Sequence, residues 1–273
     1  MSHRFAPVPA SRRRLMQAAG ACLLAAAVPA ARAQIHSLNE AINKAGRQRM
    51  LSQRMAKAWL AIGQGIDVPR AERVLHDSMA LFDRQLVELK LFAPTPEIRG
   101  TYDALEPVWG QYKTALVGTA PARTATPELI ALDTRVLQLA QQGTAQLEKH
   151  SGQPVGRLVN IAGRQRMLSQ RTAKFFLVQS WNVTLPNARA EFDAARAEFV
   201  RALRELDAAP QATASIRGDL ELARQQWVFF ENALERGAEG SAGATRAAQV
   251  FSTSENILDL MDRVTGQYAR LAA

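Results

Sequence analysis

The sequence predicts an all-α protein built from two tandem antiparallel four-helix units that are related by a pseudo-twofold axis. Thirteen residues at 45–57 recur at 162–174 with one change, Thr172 for Met55. Helix-favouring Ala, Leu, Arg, Gln and Glu are abundant, and the alternating β-branched runs typical of strands are missing. Glycine and proline interruptions divide each half of the chain into four segments of helical length.

Residues 1–33 have the features of an export signal. The run at 11–16, Ser-Arg-Arg-Arg-Leu-Met, places a twin-arginine pair before an apolar stretch at 18–28, and a small-x-small cleavage motif ends at Ala33. The apolar stretch is short for a bilayer span. We therefore expect cleavage near Ala33 and a mature periplasmic protein that does not span the membrane. An uncleaved anchor is the alternative.

The charge balance argues against a nucleic-acid partner. The formal net charge is +9, but residues 1–33 hold five of the 34 basic residues and no acidic one, which leaves 29 basic against 25 acidic residues, or +4. An exported chain with so small a surplus is not typical of nucleic-acid binding. The single cysteine, Cys22, lies in the signal, so no disulfide, cysteine-ligated metal or cluster is expected in the mature protein.

The first repeat is expected to span 34–151 and the second 152–273. Helices are predicted at 35–63, 69–92, 96–117, 127–150, 153–181, 186–208, 212–236 and 243–271. Thr95-Pro96-Glu97 and Thr126-Pro127-Glu128 each resemble a helix start, with a capping threonine, a proline at the first position and a favourable acid.

The duplication also predicts how the two units meet. After four antiparallel helices the chain returns to the end where it began, so the first and fifth helices can lie parallel and side by side. Equivalent residues near the axis would then face each other, so we expect Arg49 to meet Arg166. The similarity continues beyond the repeated block, because Phe82 matches Phe199 and Trp109 matches Trp227, as expected for bundle anchors.

The repeated block supplies the candidate binding residues. Gly46, Arg49 and Gln53 share one stripe of the first helix, with Ser52 beside it. Glycine inside a helix costs about 1 kcal/mol against alanine, so its presence indicates a close helix approach or space for a ligand. The predicted ligand-binding residues of both copies are Arg49, Arg166, Gly46, Gly163, Ser52, Ser169, Gln53 and Gln170.

Six further polar residues of the same helices form a possible secondary set. For the four arginines among them, surface or inter-helix salt bridges are the alternative. More generally, arginines on an amphipathic helix often form only a solvated face. The secondary set is Asn43, Asn160, Arg47, Arg164, Arg54 and Arg171.

The segment 42–54 resembles the P-box of periplasmic nitrate/nitrite sensor kinases, and more closely the N-terminal domain of type IV pilus methyl-accepting chemotaxis transducers. Residues 159–167 are similar. In the kinases this domain is a four-helix bundle that dimerises and holds one nitrate between the two first helices, through the arginine of an Arg-Met pair from each subunit. The resemblance implies that Arg49 and Arg166 have this role here, with both copies on one polypeptide.

The chemistry of arginine suits such a ligand. A guanidinium offers parallel donors that match two oxygens of planar nitrate. Two opposed guanidiniums repel by about 4 kcal/mol at roughly 4 Å when the effective dielectric is about 20, and a bound anion reverses this. The sequence therefore predicts binding or sensing of a small oxyanion, nitrate or nitrite first, with a small carboxylate left open. Whether the site lies within one chain or between chains is also left open.

The alternative function is a ligand-independent interaction module. In this alternative, the two helices that carry the repeated block contact a partner protein, which is a membrane sensor or a type IV pilus chemotaxis transducer. The expected partners are thus a small anion and an inner-membrane sensor or transporter.

Catalysis has little support in the sequence. The three histidines of the mature chain, His36, His76 and His150, show no metal-binding spacing, and no serine lies in a nucleophile-elbow context. The Glu-x-x-His pairing of di-iron bundles is missing as well. We expect a protein that is not an enzyme and has no cofactor and no metal.

Overall fold

The structure is a computed structural model that describes residues 35–118, 120–235 and 242–271, so the predicted export signal lies outside the described residues. From residue 35 onward the chain forms one compact unit, and its described part contains helices and no strand. A short 3₁₀ turn, Arg123–Ala125, precedes the fourth helix. The helices are α1 Leu38–Gly63, α2 Val68–Phe92, α3 Pro96–Gly118, α4 Thr126–Ser151, α5 Pro154–Ser180, α6 Ala188–Asp207, α7 Ala214–Glu235 and α8 Ala242–Arg270.

The helices pack as two equivalent four-helix units around α1 and α5. These two first helices lie against each other, α1 also contacts α2 and α4, and α5 contacts α6 and α8 in the same way. Helix α3 packs on α4 as α7 packs on α8. Near the start of α1 the carbonyl of Asn43 accepts from Arg166 of α5, and Gln64, the residue after α1, donates to the carbonyl of Leu177 further along α5. The two helices are therefore parallel, and the predicted all-α tandem arrangement is confirmed.

A stacked aromatic pair anchors the outer helices of each copy. The rings of Phe82 on α2 and Trp109 on α3 stack with centroids 4.2 Å apart, and those of Phe199 on α6 and Trp227 on α7 stack at 3.9 Å. All four side chains are buried. Such pairs contribute about 0.5–1.5 kcal/mol beyond the area that they bury. The aromatic residues matched between the repeats thus have the same packing role in both.

The predicted helix start at Thr95 is confirmed, because the backbone N–H of Ile98 donates to Thr95 Oγ1 at 3.2 Å. The equivalent start at Thr126 was wrong. The preceding 3₁₀ turn already brings Thr126 into helical geometry (φ −58°, ψ −44°), and its hydroxyl donates back to the carbonyl of Ala122 at 3.1 Å. An N-cap residue has non-helical backbone angles, so Thr126 is the first residue of α4 and not its N-cap.

Candidate functional site

The two candidate arginines meet where α1 and α5 approach each other. A Cβ atom placed on Gly46 would lie 3.0 Å from Nη2 of Arg49 and 3.4 Å from Nη2 of Arg166. A Cβ atom on Gly163 would lie 3.1 Å from Nη2 of Arg166 and 3.7 Å from Nη2 of Arg49. Both guanidiniums therefore lie beside both glycines. The absence of a side chain at these positions makes room for them.

Each arginine donates to the backbone of the other copy. Nη2 of Arg49 donates to the carbonyl oxygen of Asn160 on α5 at 3.3 Å, and Nη2 of Arg166 donates to that of Asn43 on α1 at 3.0 Å. Asn43 and Asn160 are equivalent residues, so the two bonds are related by the pseudo-twofold axis. Both arginine side chains are 0% exposed. The crossed pair thus belongs to the interior between the copies and not to the protein surface.

The second terminal nitrogen of the Arg49 guanidinium, Nη1, is hydrogen-bonded to a neutral side-chain amide. Its Nη1 donates to Oε1 of Gln141 on α4 at 2.6 Å. The same oxygen accepts from Nη1 of Arg164 on α5 at 3.0 Å. In the described part of the chain, Arg49 Nε is buried without a hydrogen-bond partner. Within the described ranges, the acceptors of Arg49 are therefore neutral oxygens.

Arg166 has the corresponding contacts but meets a carboxylate. Its Nη1 donates to Oδ1 of Asp262 on α8, and Nη2 of Arg47 on α1 donates to the same carboxylate oxygen at 2.7 Å. Asp262 thus accepts hydrogen bonds from one arginine of each copy, as Gln141 does. The geometry of the two halves is similar, but a carboxylate lies at this position in one half and a neutral amide in the other, where the nearby negative charges are those of Glu148 and Glu198.

The pKa values follow this difference in partners. Burial, followed by the charges of Arg164 and Arg166, lowers the pKa of Arg49 to about 9. Burial also lowers the pKa of Arg166, but the charge of Asp262 opposes it and the value is about 10. Burial alone would raise the pKa of Asp262, yet the charges of Arg166 and Arg47 outweigh it and bring the pKa to about 2. At neutral pH both arginines are cationic and Asp262 is anionic.

The predicted serines and glutamines lie in the next polar layer along the same helices. Ser52 and Ser169 donate to the backbone carbonyls of Arg49 and Arg166 at 3.0 and 2.9 Å. The amide nitrogen of Gln53 donates to Ser52 and to Asp133 on α4, and that of Gln170 donates to Ser169 and to the Ser254 carbonyl on α8. In the part of the chain that the structure describes, the hydrogen bonds of these four side chains support the helices that carry the arginines and do not reach the guanidiniums.

The four remaining arginines of the secondary set form inter-helix ion pairs, which is the alternative that the sequence left open for them. Two of the pairs join α1 to α8 and therefore link the copies, while the other two join α5 to α6 within the second copy. The pairs are Arg47–Asp262, Arg54–Glu255, Arg164–Glu198 and Arg171–Glu191. The side chain of Asn160 donates to Glu148 on α4, whose charge also favours the cationic form of Arg49.

Two buried lysines cross between the copies and were missed by the sequence analysis. Lys57 of α1 lies 2.6 Å from Oε1 of Glu255 on α8, and Lys174 of α5 lies 2.6 Å from Oδ2 of Asp133 on α4. Both lysines are almost completely buried. One signal was present, because each lysine closes the repeated block among Ala, Trp, Phe and Leu residues. A charge at such a position needs a buried partner.

The site offers hydrogen-bond donors and fixed positive charge. Among the described residues, no three His, Cys, Asp or Glu side chains come together as possible metal ligands. The arrangement places the N–H donors of two guanidiniums between two helices, and such donors bond most strongly to acceptors with negative charge.

Comparison with known families identifies both halves of the chain. The family model described as the N-terminal domain of type IV pili methyl-accepting chemotaxis transducers (PilJ) matches residues 30–134 and again residues 146–253. No curated protein and no solved structure shows significant similarity to the chain. No helix in the described ranges is long and apolar enough to cross a membrane. The chain therefore belongs to the family of the type IV pili chemotaxis transducer N-terminal domain, a sensory and non-catalytic family that is typically extracytoplasmic, and it contains two copies of that domain.

Proposed function

We propose that this chain is a periplasmic sensory protein that binds a small oxyanion, nitrate or nitrite first, between α1 and α5. The single observation that carries the proposal is the environment of Arg49. Its guanidinium is completely buried, its hydrogen-bond acceptors are the neutral oxygens of Gln141 and Asn160, and its Nε is unpartnered among the described residues.

A buried cation with only neutral acceptors is unfavourable, and a bound anion would relieve that cost. Removing a charge from water costs several kcal/mol unless an opposite charge is close. Charge-assisted hydrogen bonds contribute about 1.5–3 kcal/mol each. Three or four of them, from Arg49 and Arg166, approach the roughly 8 kcal/mol of micromolar binding. Nitrate and nitrite suit the site because their oxygens can accept in the plane of a guanidinium.

The two arginines would contribute unequally. Arg166 already has the carboxylate of Asp262 beside it, whereas Arg49 has the amide of Gln141. The need for an anion is therefore greater at Arg49, while Arg166 closes the site from the other copy. The resemblance of the repeated block to the nitrate/nitrite P-box agrees with this choice of ligand.

The alternative, an arginine-mediated protein contact, has weaker support. Arg49 and Arg166 are buried between the copies, and the other five arginines of these helices are held in inter-helix ion pairs. A partner such as a membrane sensor would then contact other surfaces, with the anion changing the packing of α1 on α5.

Calorimetric titration of the protein without residues 1–33 tests the proposal. After exhaustive dialysis, nitrate, nitrite, acetate and chloride are added at constant ionic strength, and melting temperatures are measured in parallel. We expect saturable heat and thermal stabilisation with nitrate or nitrite. Arg49→Gln and Arg166→Gln should abolish both effects.

Arg99→Gln is the matched control, because Arg99 is exposed on α3. It should behave like the wild-type protein. Equal nitrate-induced melting shifts in the wild type and in all three variants would eliminate the central site. A complex with an inner-membrane sensor that forms regardless of any anion would favour the alternative.

A further inference from the structure

A second cavity lies in the second copy, away from the crossed arginines. It has a volume of about 290 Å³ and lies among α5, α6 and α7. Phe176, Phe192 and Leu234 supply apolar surface, while Gln179, Arg189, Arg196 and the outer, exposed Glu235 supply polar groups. Small-molecule sites are mostly apolar, contain a few placed polar groups and begin at roughly 300 Å³. The cavity therefore has the composition and size of a site for a compact organic molecule.

The first copy has apolar residues at two of the polar positions of this cavity. Gln179 corresponds to Ile62 and Arg196 corresponds to Met79 at the 117-residue offset. Met79 is buried, and Ile62 packs against the core. The four-helix unit thus folds with apolar side chains at both positions. The polar residues of the second copy are not required by the fold.

The polar residues present unpaired donors. Nε2 of Gln179 and Nε of Arg196 are buried atoms with no hydrogen-bond partner in the described ranges. The Nη2 atom of Arg196 is directed to Glu231 at 3.2 Å and to Glu235 at 3.6 Å, so the guanidinium is fixed through its other end. Both residues line the cavity, and a buried N–H group is destabilising unless an acceptor meets it.

The aromatic ring of Phe192 lies close to two arginine side chains that line the cavity. The guanidinium carbons of Arg189 and Arg196 lie 5.7 and 5.5 Å from the ring centroid of Phe192. Both distances are within the range of cation–π attraction. An apolar face and an edge of cationic donors therefore lie side by side.

We infer that this cavity is a second ligand site, for a small amphipathic carboxylate with a flat apolar body. The body lies against Phe176 and Phe192, and the carboxylate oxygens accept from Arg196 Nε and Gln179 Nε2. The inference does not depend on the central oxyanion site, because the two sites share no residue.

Titration with benzoate, followed by calorimetry on the protein without residues 1–33, tests the second site. Acetate lacks the ring and benzyl alcohol lacks the charge, so both should bind far more weakly than benzoate. The variants Arg196→Met and Gln179→Ile introduce the residues that the first copy has at these positions. Each should weaken benzoate binding by about tenfold or more, since each removes one donor to a charged acceptor.

Two controls separate this site from others. Arg201→Met changes an exposed arginine of the same helix and should leave benzoate binding unchanged. Arg49→Gln, which should abolish the nitrate response, should also leave it unchanged. Circular dichroism establishes whether each variant folds. If Arg196→Met does not fold, the benzoate affinity of Gln179→Ile provides the test. The inference is overturned by a wild-type protein that does not bind benzoate saturably, by unaltered affinity in the folded cavity variants, or by loss of binding in Arg49→Gln.

Discussion

Gln141 and Asp262 occupy corresponding places in the two copies, and each accepts hydrogen bonds from one arginine of its own copy and one of the other. Gln141 binds Arg49 and Arg164, and Asp262 binds Arg166 together with a second arginine from α1. The duplication therefore kept the geometry of the site but not its charge. This difference between an amide and a carboxylate makes the two halves experimentally separable.

Gln141→Glu should supply the missing carboxylate with almost no change in shape. We expect the free energy of unfolding without ligand to rise by about 1–3 kcal/mol, because the bonds from Arg49 and Arg164 become charge-assisted. The internal carboxylate should also take the place of an external anion, so nitrate should no longer raise the melting temperature. Urea denaturation with and without nitrate measures both effects.

Gln111→Glu is the control for this substitution, since Gln111 also accepts from an arginine, Arg135, but at an exposed position. Its effect on stability should stay below about 1 kcal/mol, as for surface ion pairs. A Gln141→Glu protein that keeps the full nitrate response would contradict our assignment of Arg49.

Gly46→Ala should separate binding from folding. The new Cβ would lie 3.0 Å from Arg49 Nη2, which is the end of a flexible side chain, so the guanidinium shifts while the helix stays intact. We expect near wild-type stability but nitrate binding weakened by about tenfold or more, because one charge-assisted bond is misplaced. Gly100→Ala on α3 meets no atom within 4 Å and should simply stabilise the protein by about 0.5–1 kcal/mol. Equal nitrate affinity in both proteins would argue against the close approach at Gly46.

Lys174→Met should destabilise the protein more than Lys57→Met. Asp133 is completely buried, and its partners among the described residues are Lys174 and the neutral amide of Gln53, whereas Glu255 keeps a second cation, Arg54, when Lys57 is removed. Breaking a buried pair and leaving the charge alone costs about 3–5 kcal/mol. Chemical denaturation of both variants measures how much unfolding free energy each has lost. A larger loss in Lys57→Met than in Lys174→Met would contradict the prediction.

Glu255→Gln should reduce the loss of stability in acid. Burial would raise the pKa of Glu255, but the charges of Lys57 and Arg54 outweigh it and lower the pKa from 4.5 to about 2. The stability that this carboxylate contributes is complete above pH 4.5 and disappears as the pH falls towards 2. Over this window the free energy of unfolding of the wild-type protein should therefore fall by about 3 kcal/mol. The variant lacks this contribution, so it is less stable at pH 7 and does not show the same fall in acid.

Unfolding free energies measured from pH 7 to pH 2 should thus converge for the two proteins at the acid end. Glu106→Gln removes an exposed partner of Lys90 and serves as the control. Its curve should run parallel to that of the wild type. Parallel curves for Glu255→Gln would show that the buried pair does not set the acid response.

The repeated block, the helix-favouring composition and the regular interruptions together were sufficient to predict the architecture. Helical residues with regular interruptions fix eight helices to within a few residues, because short-range backbone preferences set their ends. The exception at Thr126 arose from a 3₁₀ turn that no local pattern distinguishes from a helix start. The pairing of α1 with α5 followed from chain direction alone, since four antiparallel helices return to their starting end.

The candidate site was predicted only in part. Arg49 and Arg166 come together because they are equivalent positions near a symmetry axis, which the sequence reveals through duplication. Their acceptors Gln141 and Asp262 lie on α4 and α8, outside the repeated block, and have different side chains. No short-range pattern connects residues so far apart in the chain.

By itself, then, the sequence determined the fold class, the tandem duplication and the identity of the two central arginines, because periodicity and repetition are properties of the chain alone. Only the tertiary structure decided which partners those charges have. It placed a carboxylate beside Arg166 and an amide beside Arg49, crossed Lys57 and Lys174 to acids of the opposite copy, and opened the cavity at Arg196. The physical reason is that burial makes every unpaired charge costly, and the groups that offset that cost come from distant helices.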